Sequence, residues 1–377
     1  MTVEKRPMLV NVERLHRLMD ETDCAAVVAR SGKNFTYLAG IAYPGTLARH
    51  LDFPDTPRDV FCIWPRTGEP IVVTHHAGRP VTERDSWVER IEVIEDYVES
   101  GIEGAARVLQ SLGLDGERIG FEKTYVSAAR WIEIERELPR ADLFDCTELM
   151  DAVRRVKTPG EIELLRRAAD IQDDAHLEVF SELREGDTER EIHARMVAAC
   201  MRRGCGFVHG ILNSSSNPDM YSGEGDQPFR KGDIIRTDYV SYLDGYPGHQ
   251  SRLFSLGPPS AETRERYRTY RDIYRALADY CRPGRKSNEV WQFVHDKLVE
   301  AGFPHAPGAM VGHSVGPWFH QQDPVLLRVE ECPLEEGMVI ALEPYSGYWH
   351  LQDMFLIGAG GNELLSAKFD TSELFVI

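Results

Sequence analysis

Apolar positions along the chain fall into two rhythms. Recurrence at three- and four-residue intervals predicts helices over 11–22, 101–113 and 127–137. Short apolar runs at 24–29, 61–64, 71–74 and 119–122 predict strands, two of them joined by the turn 65–68. Strands alternating with helices predict an α/β lobe that closes near residue 150. Between Tyr43 and Arg58 lies a stretch holding Pro44, Pro54 and Pro57 with no periodicity, and loops of this length often serve as contact elements.

The second half opens on a helix start: Thr158 as cap, Pro159 in the first helical position and Glu161 three residues after the cap. This helix is predicted to run to about residue 184. Thr188 and Glu191 cap another, reaching about residue 203. Residues 204–230 read as a loop, helices follow near 261–281 and 288–302, and the end is rich in β structure. The stretch 234–254, IIRTDYVSYLDGYPGHQSRLF, is predicted to be a hairpin, because Asp244-Gly245 suits a type I′ turn. That turn sets position 240 opposite 249, so Asp238 and His249 lie diagonally on one face, within reach of a shared ion. By itself the pair reads equally well as an incidental carboxylate and imidazole on a surface hairpin.

Length and charge narrow the classes. At 377 residues the chain is expected to form two domains. With 42% hydrophobic and 28% charged residues it has the balance of a folded protein. A formal net charge of −18 argues against nucleic acid and anionic membrane as partners. No stretch has the length of apolar sequence that spans a bilayer, and residues 1–21 do not read as a secretory leader. The seven cysteines are scattered without paired metal spacing, which predicts reduced thiols in the cytoplasm.

Further polar residues stand downstream in apolar or glycine-bounded settings. They are His313 in Gly312-His313-Ser314-Val315-Gly316, then His320, then Glu343 at the end of Gly337-Met338-Val339-Ile340-Ala341-Leu342-Glu343-Pro344, then Gln352 opening an apolar run. A carboxylate ending an apolar strand is costly to bury unless paired or metal-bound. In this order, the motifs resemble the pita-bread metallopeptidase and creatinase superfamily, which includes Xaa-Pro dipeptidases, aminopeptidase P, creatinase and ectoine hydrolase. The segments Arg154–Ile162, Gly186-Asp187-Thr188-Glu189, Lys231-Gly232-Asp233 and Asn34-Phe35-Thr36-Tyr37-Leu38-Ala39-Gly40 extend the resemblance to nearly the whole chain. It implies an α/β (α+β) fold: a creatinase/prolidase-like mixed α/β domain over 1–152 and a pita-bread catalytic domain over 153–377. It also implies a homodimer, with the loop 43–58 as the stretch nominated to reach the partner's site.

In metal-dependent members, two Asp, one His and two Glu hold two divalent ions. Carried over position by position, the resemblance implies the ligands Asp238, His249, His313, Glu343 and Gln352. His249 stands where the family has a second Asp, and Gln352 where it has a final Glu. Only Asp238 and Glu343 are anionic, so a dinuclear site would keep about two positive charges uncompensated. The expectation is therefore at most one divalent ion, zinc-like or another late transition metal, or none. Counting back from Asp238 as the family does reaches Tyr221-Ser222 without finding the loop histidine, and His209 stands too early.

Fewer metal carboxylates with His313, His320 and Glu343 kept is similar to creatinase and ectoine hydrolase. That likeness implies a hydrolase of a C–N bond in a small zwitterionic, amino-acid-like substrate. Glu343 would be the general base, its pKa raised by burial, with His313 and His320 orienting substrate or donating a proton. Arg252 is expected to pair with a substrate carboxylate, and Tyr221 and Trp318 to wall the pocket. Three other readings stand beside this one: a metal-dependent Xaa-Pro dipeptidase or aminopeptidase, a lyase that removes a proton, and a non-catalytic binding protein.

Overall fold

The computed structural model describes residues 5–43, 58–217, 219 and 225–377; Tyr221 and most of the loop 43–58 lie outside them. Two compact units result. One is Met1–Arg154 with Pro317–Phe319, the other Arg155–Gly316 with His320–Ile377.

The first unit is built on a mixed sheet. Its strands are β1 (Ala26–Arg30), β2 (Phe61–Pro65), β3 (Ile71–His75), β4 (Arg90–Ile94), β5 (Arg118–Phe121) and β6 (Asp142–Asp145), in the order β4-β3-β2-β1-β5-β6. Val27 and Ala29 of β1 enter one apolar cluster, while Ala26 and Val28 enter another. Both faces are covered, which is why the central strands read as unbroken apolar runs. The edge strands β4 and β6 carry charged residues, and the apolar pattern did not reveal them.

The second unit holds the chemistry. Thr158 and Glu161 form the expected capping box, and the helix Pro159–Ser181 follows, with Pro159 at its first turn. The strands β7 (Phe207–Ser214), β8 (Ile234–Leu243), β9 (Tyr246–Gln250) and β10 (Leu253–Ser255) form one sheet around β8, completed by Phe375–Val376 beside β10. The 204–230 stretch, read from sequence as a loop, thus contains an eight-residue strand. The hairpin has the predicted register, Val240 opposite His249, and both turn residues have positive φ: 51° at Asp244 and 87° at Gly245.

The helix Pro159–Ser181 holds this hairpin from behind. Gln172 donates to the carbonyls of Tyr239 and Gln250 and accepts from Ser241 Oγ, and His176 Nε2 lies 3.0 Å from Thr237 Oγ1. A Cβ at Gly248 would collide with the Ala168 carbonyl, so glycine is what lets the strand lie against the helix. A second sheet contains β11 (Gly312–Ser314), β12 (Gln322–Val325), β13 (Val339–Leu342), β14 (Asp353–Leu356) and the short β15 (Glu363–Leu364). The helices Ala261–Tyr280 and Ser287–Glu300 pack their apolar faces onto it. Among the described residues, no helix is long and apolar enough to cross a membrane.

Candidate active site

The site lies where the ends of the two sheets of the second unit meet. Leu342 pairs with Asp353, so Glu343, just past β13, and Gln352, just before β14, emerge side by side. Ser251 and Gln352 exchange backbone hydrogen bonds at 3.1 and 3.3 Å, which ties the hairpin to that second sheet. His313, one strand over in β11, pairs with Ala341. Residues 238, 249, 313, 343 and 352 therefore converge, as the family resemblance implied.

Their polar atoms are close. His249 Nε2 lies 3.2 Å from Asp238 Oδ1, and His313 Nε2 lies 3.2 Å from Glu343 Oε1. His313 Nδ1 is 2.8 Å from the Ser314 carbonyl, so the ring donates there and turns Nε2 inward. His350, which sequence reasoning passed over, places Nε2 3.8 Å from Glu343 Oε2. His320 stands edge-on to His249, with centroids 4.5 Å apart, and its Nδ1 is 3.2 Å from Tyr242 Oη.

Burial drives the Asp238 carboxyl toward its neutral form, but the His249 hydrogen bond, His350 and Arg236 outweigh it and hold the pKa low. Glu343 is similar. Burial pushes it up, yet His313, His350 and His249 bring it below the ordinary carboxylate range. The expectation of a raised Glu343 pKa is thus corrected: burial works in the expected direction, but the imidazoles around the carboxylate overcome it. Burial alone would keep His313 neutral, and Glu343 reverses that, raising its pKa.

Two other assignments change. Arg252 is fully buried, and its guanidinium donates to Asp173 Oδ1 at 2.6 Å, lies 2.8 Å from Asp353 Oδ1, and also reaches the Ser251 and Gln352 carbonyls. Its fork is spent inside the protein and not on a substrate carboxylate. Gln352 turns its amide nitrogen to His249, at 3.0 Å from Nδ1, while its oxygen accepts from Ser251 Oγ. An amide nitrogen has no lone pair to give a metal, so Gln352 is not placed as a ligand. Trp318 falls in the other compact unit.

His209, set aside from the sequence as standing too early, also comes near. It lies on β7 opposite Val240, which on its other side faces His249, so His209 shares a face of the sheet with His249. Its ring is 5.4 Å from that of His320. The β-like run Phe207-Val208-His209-Gly210-Ile211-Leu212 was the available signal.

Metal-ligating geometry is present in two groups. The ligand atoms of His249, His313 and His320 lie within 4.8 Å of one another, and those of Asp238, Glu343 and His350 do likewise. Among the described residues, the buried atoms His313 Nε2, Glu343 Oε1 and both ring nitrogens of His350 have no hydrogen-bond partner. Such atoms are costly unless something with complementary charge meets them.

Comparison with known proteins agrees with this architecture. Residues 163–364 match the family model described as Metallopeptidase family M24, and residues 11–156 match the Creatinase/Prolidase N-terminal domain. The chain is 26% identical over 290 residues to an uncharacterized peptidase, YqhT, of Bacillus subtilis, covering 74% of this chain and 80% of that protein. It is 28% identical over 237 residues to the probable dipeptidase PepE of Mycobacterium tuberculosis. That alignment covers 59% of this chain and 63% of PepE, so it spans under two-thirds of that relative's length. Among solved structures, the X-Pro aminopeptidase of Thermotoga maritima superposes with a TM-score of 0.81 at 21% identity, covering 97% of this chain and 99% of that one.

Proposed function

Because the chain belongs to metallopeptidase family M24 and carries a creatinase/prolidase-type N-terminal domain, we propose that it hydrolyses the peptide bond of short peptides, Xaa-Pro dipeptides foremost, at a site taking one divalent ion. The relatives weigh toward this peptidase reading and away from the creatinase-like one that the substituted ligands suggested. The observation that carries it is the set of buried nitrogen and oxygen atoms without hydrogen-bond partners where the two sheets meet.

The donor set fits one ion and not two. Two divalent ions at the roughly 3.5 Å spacing of two-metal sites repel by roughly 19 kcal/mol at an effective dielectric constant of ~20. Four ligand carboxylates offset that repulsion; Asp238 and Glu343 alone do not. When bound, a single ion would polarise the scissile carbonyl and make water more acidic.

The rest falls to this chain's own side chains. Glu343, held anionic by its imidazole neighbours, accepts the proton of the attacking water through Oε1. As the C–N bond breaks, that proton passes to the leaving amine. His313 stays oriented by the Ser314 carbonyl. Tyr242 Oη accepts from the His320 backbone N–H at 3.2 Å, which fixes that segment against the sheet.

The test is proline release from Gly-Pro and Met-Pro, with Gly-Ala and creatine as controls, before and after chelation. Metal-dependent cleavage of the proline dipeptides, restored by one equivalent of ion, is expected. Absence of cleavage with every divalent metal overturns the reading. Full turnover of creatine after chelation would favour a metal-free hydrolase, whose support is that Asp238–His249 and Glu343–His313 already pair without an ion.

A further inference from the structure

Lys157 stands one residue before the cap of the helix Pro159–Ser181, and the proposed hydrolysis leaves it without a task. Its side chain is buried, in a residue only 5% exposed, a costly place for an ammonium unless the surroundings meet it. We propose that Lys157 is a positioning residue: it grips Ser314 from behind β11 and so holds the carbonyl that orients His313, without touching substrate. The proposal rests on His313 serving the site as described above, and it names what keeps that imidazole aimed.

The path from ammonium to imidazole is short. Lys157 Nζ donates to Ser314 Oγ at 2.9 Å and to the Arg155 carbonyl at 3.2 Å. Ser314 is fully buried, and β11 pairs in regular register with β13, so its side chain points to the opposite face from that of His313. The hydroxyl is thus held on the back of the sheet while the His313 ring stands on the site face. The carbonyl of the same Ser314 receives the His313 Nδ1 proton at 2.8 Å, and Nε2 is left 3.2 Å from Glu343 Oε1.

The sheet itself holds that carbonyl less firmly than its neighbours. Glu343 N–H donates to the Val311 carbonyl at 2.9 Å and Val315 N–H to the Val339 carbonyl at 3.2 Å, so β13 takes the backbone groups of the odd-numbered residues of β11. Those of Ser314 point to β12, and there the register shifts between His313 and Ser314. An irregular ladder restrains a peptide less than a regular one, and the Lys157–Ser314 bond adds a restraint at that residue.

Lys157 is itself well fixed. Its backbone N–H donates to the Gly337 carbonyl at 2.9 Å, and Val156 bridges Met338, just before β13. Glu161 supplies the counter-charge: burial raises its carboxyl pKa, Lys157 pulls it back, and Tyr246 Oη donates to its Oε1 at 3.1 Å. A lysine kept only to neutralise Glu161 predicts lost stability on removal and no change at His313. A positioning lysine predicts a change at His313 as well. Ser314→Ala separates the two, because it leaves Lys157 and Glu161 in place.

The experiment is imidazole nitrogen and proton NMR of the full, chelator-treated chain labelled at histidine, with His313 identified from a His313→Gln sample. Proline release is then measured with metal restored. The unmodified protein is expected to show a protected, downfield His313 Nδ1 proton. In Ser314→Ala, Lys157→Met and the double variant that proton should exchange about 10-fold faster, the double no faster than the singles. The value of kcat should fall about 10- to 100-fold, with KM little changed. An unprotected Nδ1 proton in the unmodified protein, an unchanged one in Ser314→Ala, or additive effects in the double variant overturns the proposal. If Lys157→Met does not fold, Ser314→Ala decides alone. The NMR readout needs no turnover, so failure here is separable from failure of the proposed function. A His313 that responds as stated in a protein that cleaves no dipeptide counts against the peptidase reading only. Cleavage with His313 unmoved by Ser314→Ala counts against this proposal only.

Discussion

Arg252→Met decides whether the arginine of the hairpin binds substrate or supports the fold. The guanidinium is 1% exposed and serves two carboxylates, Asp173 and Asp353, themselves 0% and 4% exposed, along with two backbone carbonyls. Asp173 keeps Ser366 Oγ, and Asp353 keeps Tyr274 Oη, but hydroxyl donors do not neutralise two buried charges. Removing one partner of a buried ion pair costs about 3–5 kcal/mol. At about 2–4 °C per kcal/mol for a domain of this size, Tm should fall by roughly 6–20 °C.

The pH dependence adds a second readout. Burial raises the Asp353 pKa to about 6 even with Arg252 beside it. A carboxyl whose folded pKa exceeds its unfolded value gives stability at low pH that is lost as pH rises through the folded pKa. Without Arg252 that folded pKa rises further, so the variant's deficit should be larger at pH 8 than at pH 5. Adding Asp173→Asn should recover at least about 1 kcal/mol, since one of the two uncompensated charges is gone. Scanning calorimetry and urea unfolding measure all three. An Arg252→Met protein with unchanged Tm and a KM raised by a large factor would refute this reasoning and restore the substrate role.

Gly248→Ala should lower stability by about 1–3 kcal/mol in urea unfolding, because the new methyl meets the rigid Ala168 carbonyl and not a movable side chain. The double variant His249→Asp with Gln352→Glu adds two carboxylates and should raise bound metal from one equivalent to two by elemental analysis; two equivalents in the unmodified protein would contradict the charge argument. In the first unit, burial raises the Glu122 pKa to about 7 against the pull of Arg154 and Asn34. Its stability contribution is therefore present below the unfolded value and is lost as pH climbs through 7, so Glu122→Gln should gain on the unmodified protein by up to about 3 kcal/mol between pH 5 and pH 8.

Several elements of the active unit were legible because residues a few positions apart decide them. Thr158, Pro159 and Glu161 satisfy one another's backbone groups within a single helical turn. Asp244 and Gly245 take positive φ and so set the whole register of the hairpin. The ordered run of Asp238, His313 and Glu343 marked the family and the place of the candidate site. β7 was not read, although it carries a β-like run, because the glycines and serines around it gave it the look of a loop.

By itself, then, the sequence determined the turns, the caps, most of the central strands and how many carboxylates stand at the motif positions. Tertiary structure decided what each polar group faces. Arg252 looks like a substrate clamp until Asp173, 79 residues upstream, closes on it. Gln352 looks like a ligand until Ser251 takes its oxygen. His209 and His350 join the site only because β7 lies beside β8 and because Glu343 ends its strand next to His350. Local patterns specify backbone conformation, which depends on near neighbours. The partner of a buried charge depends on long-range packing, and no spacing along the chain encodes it.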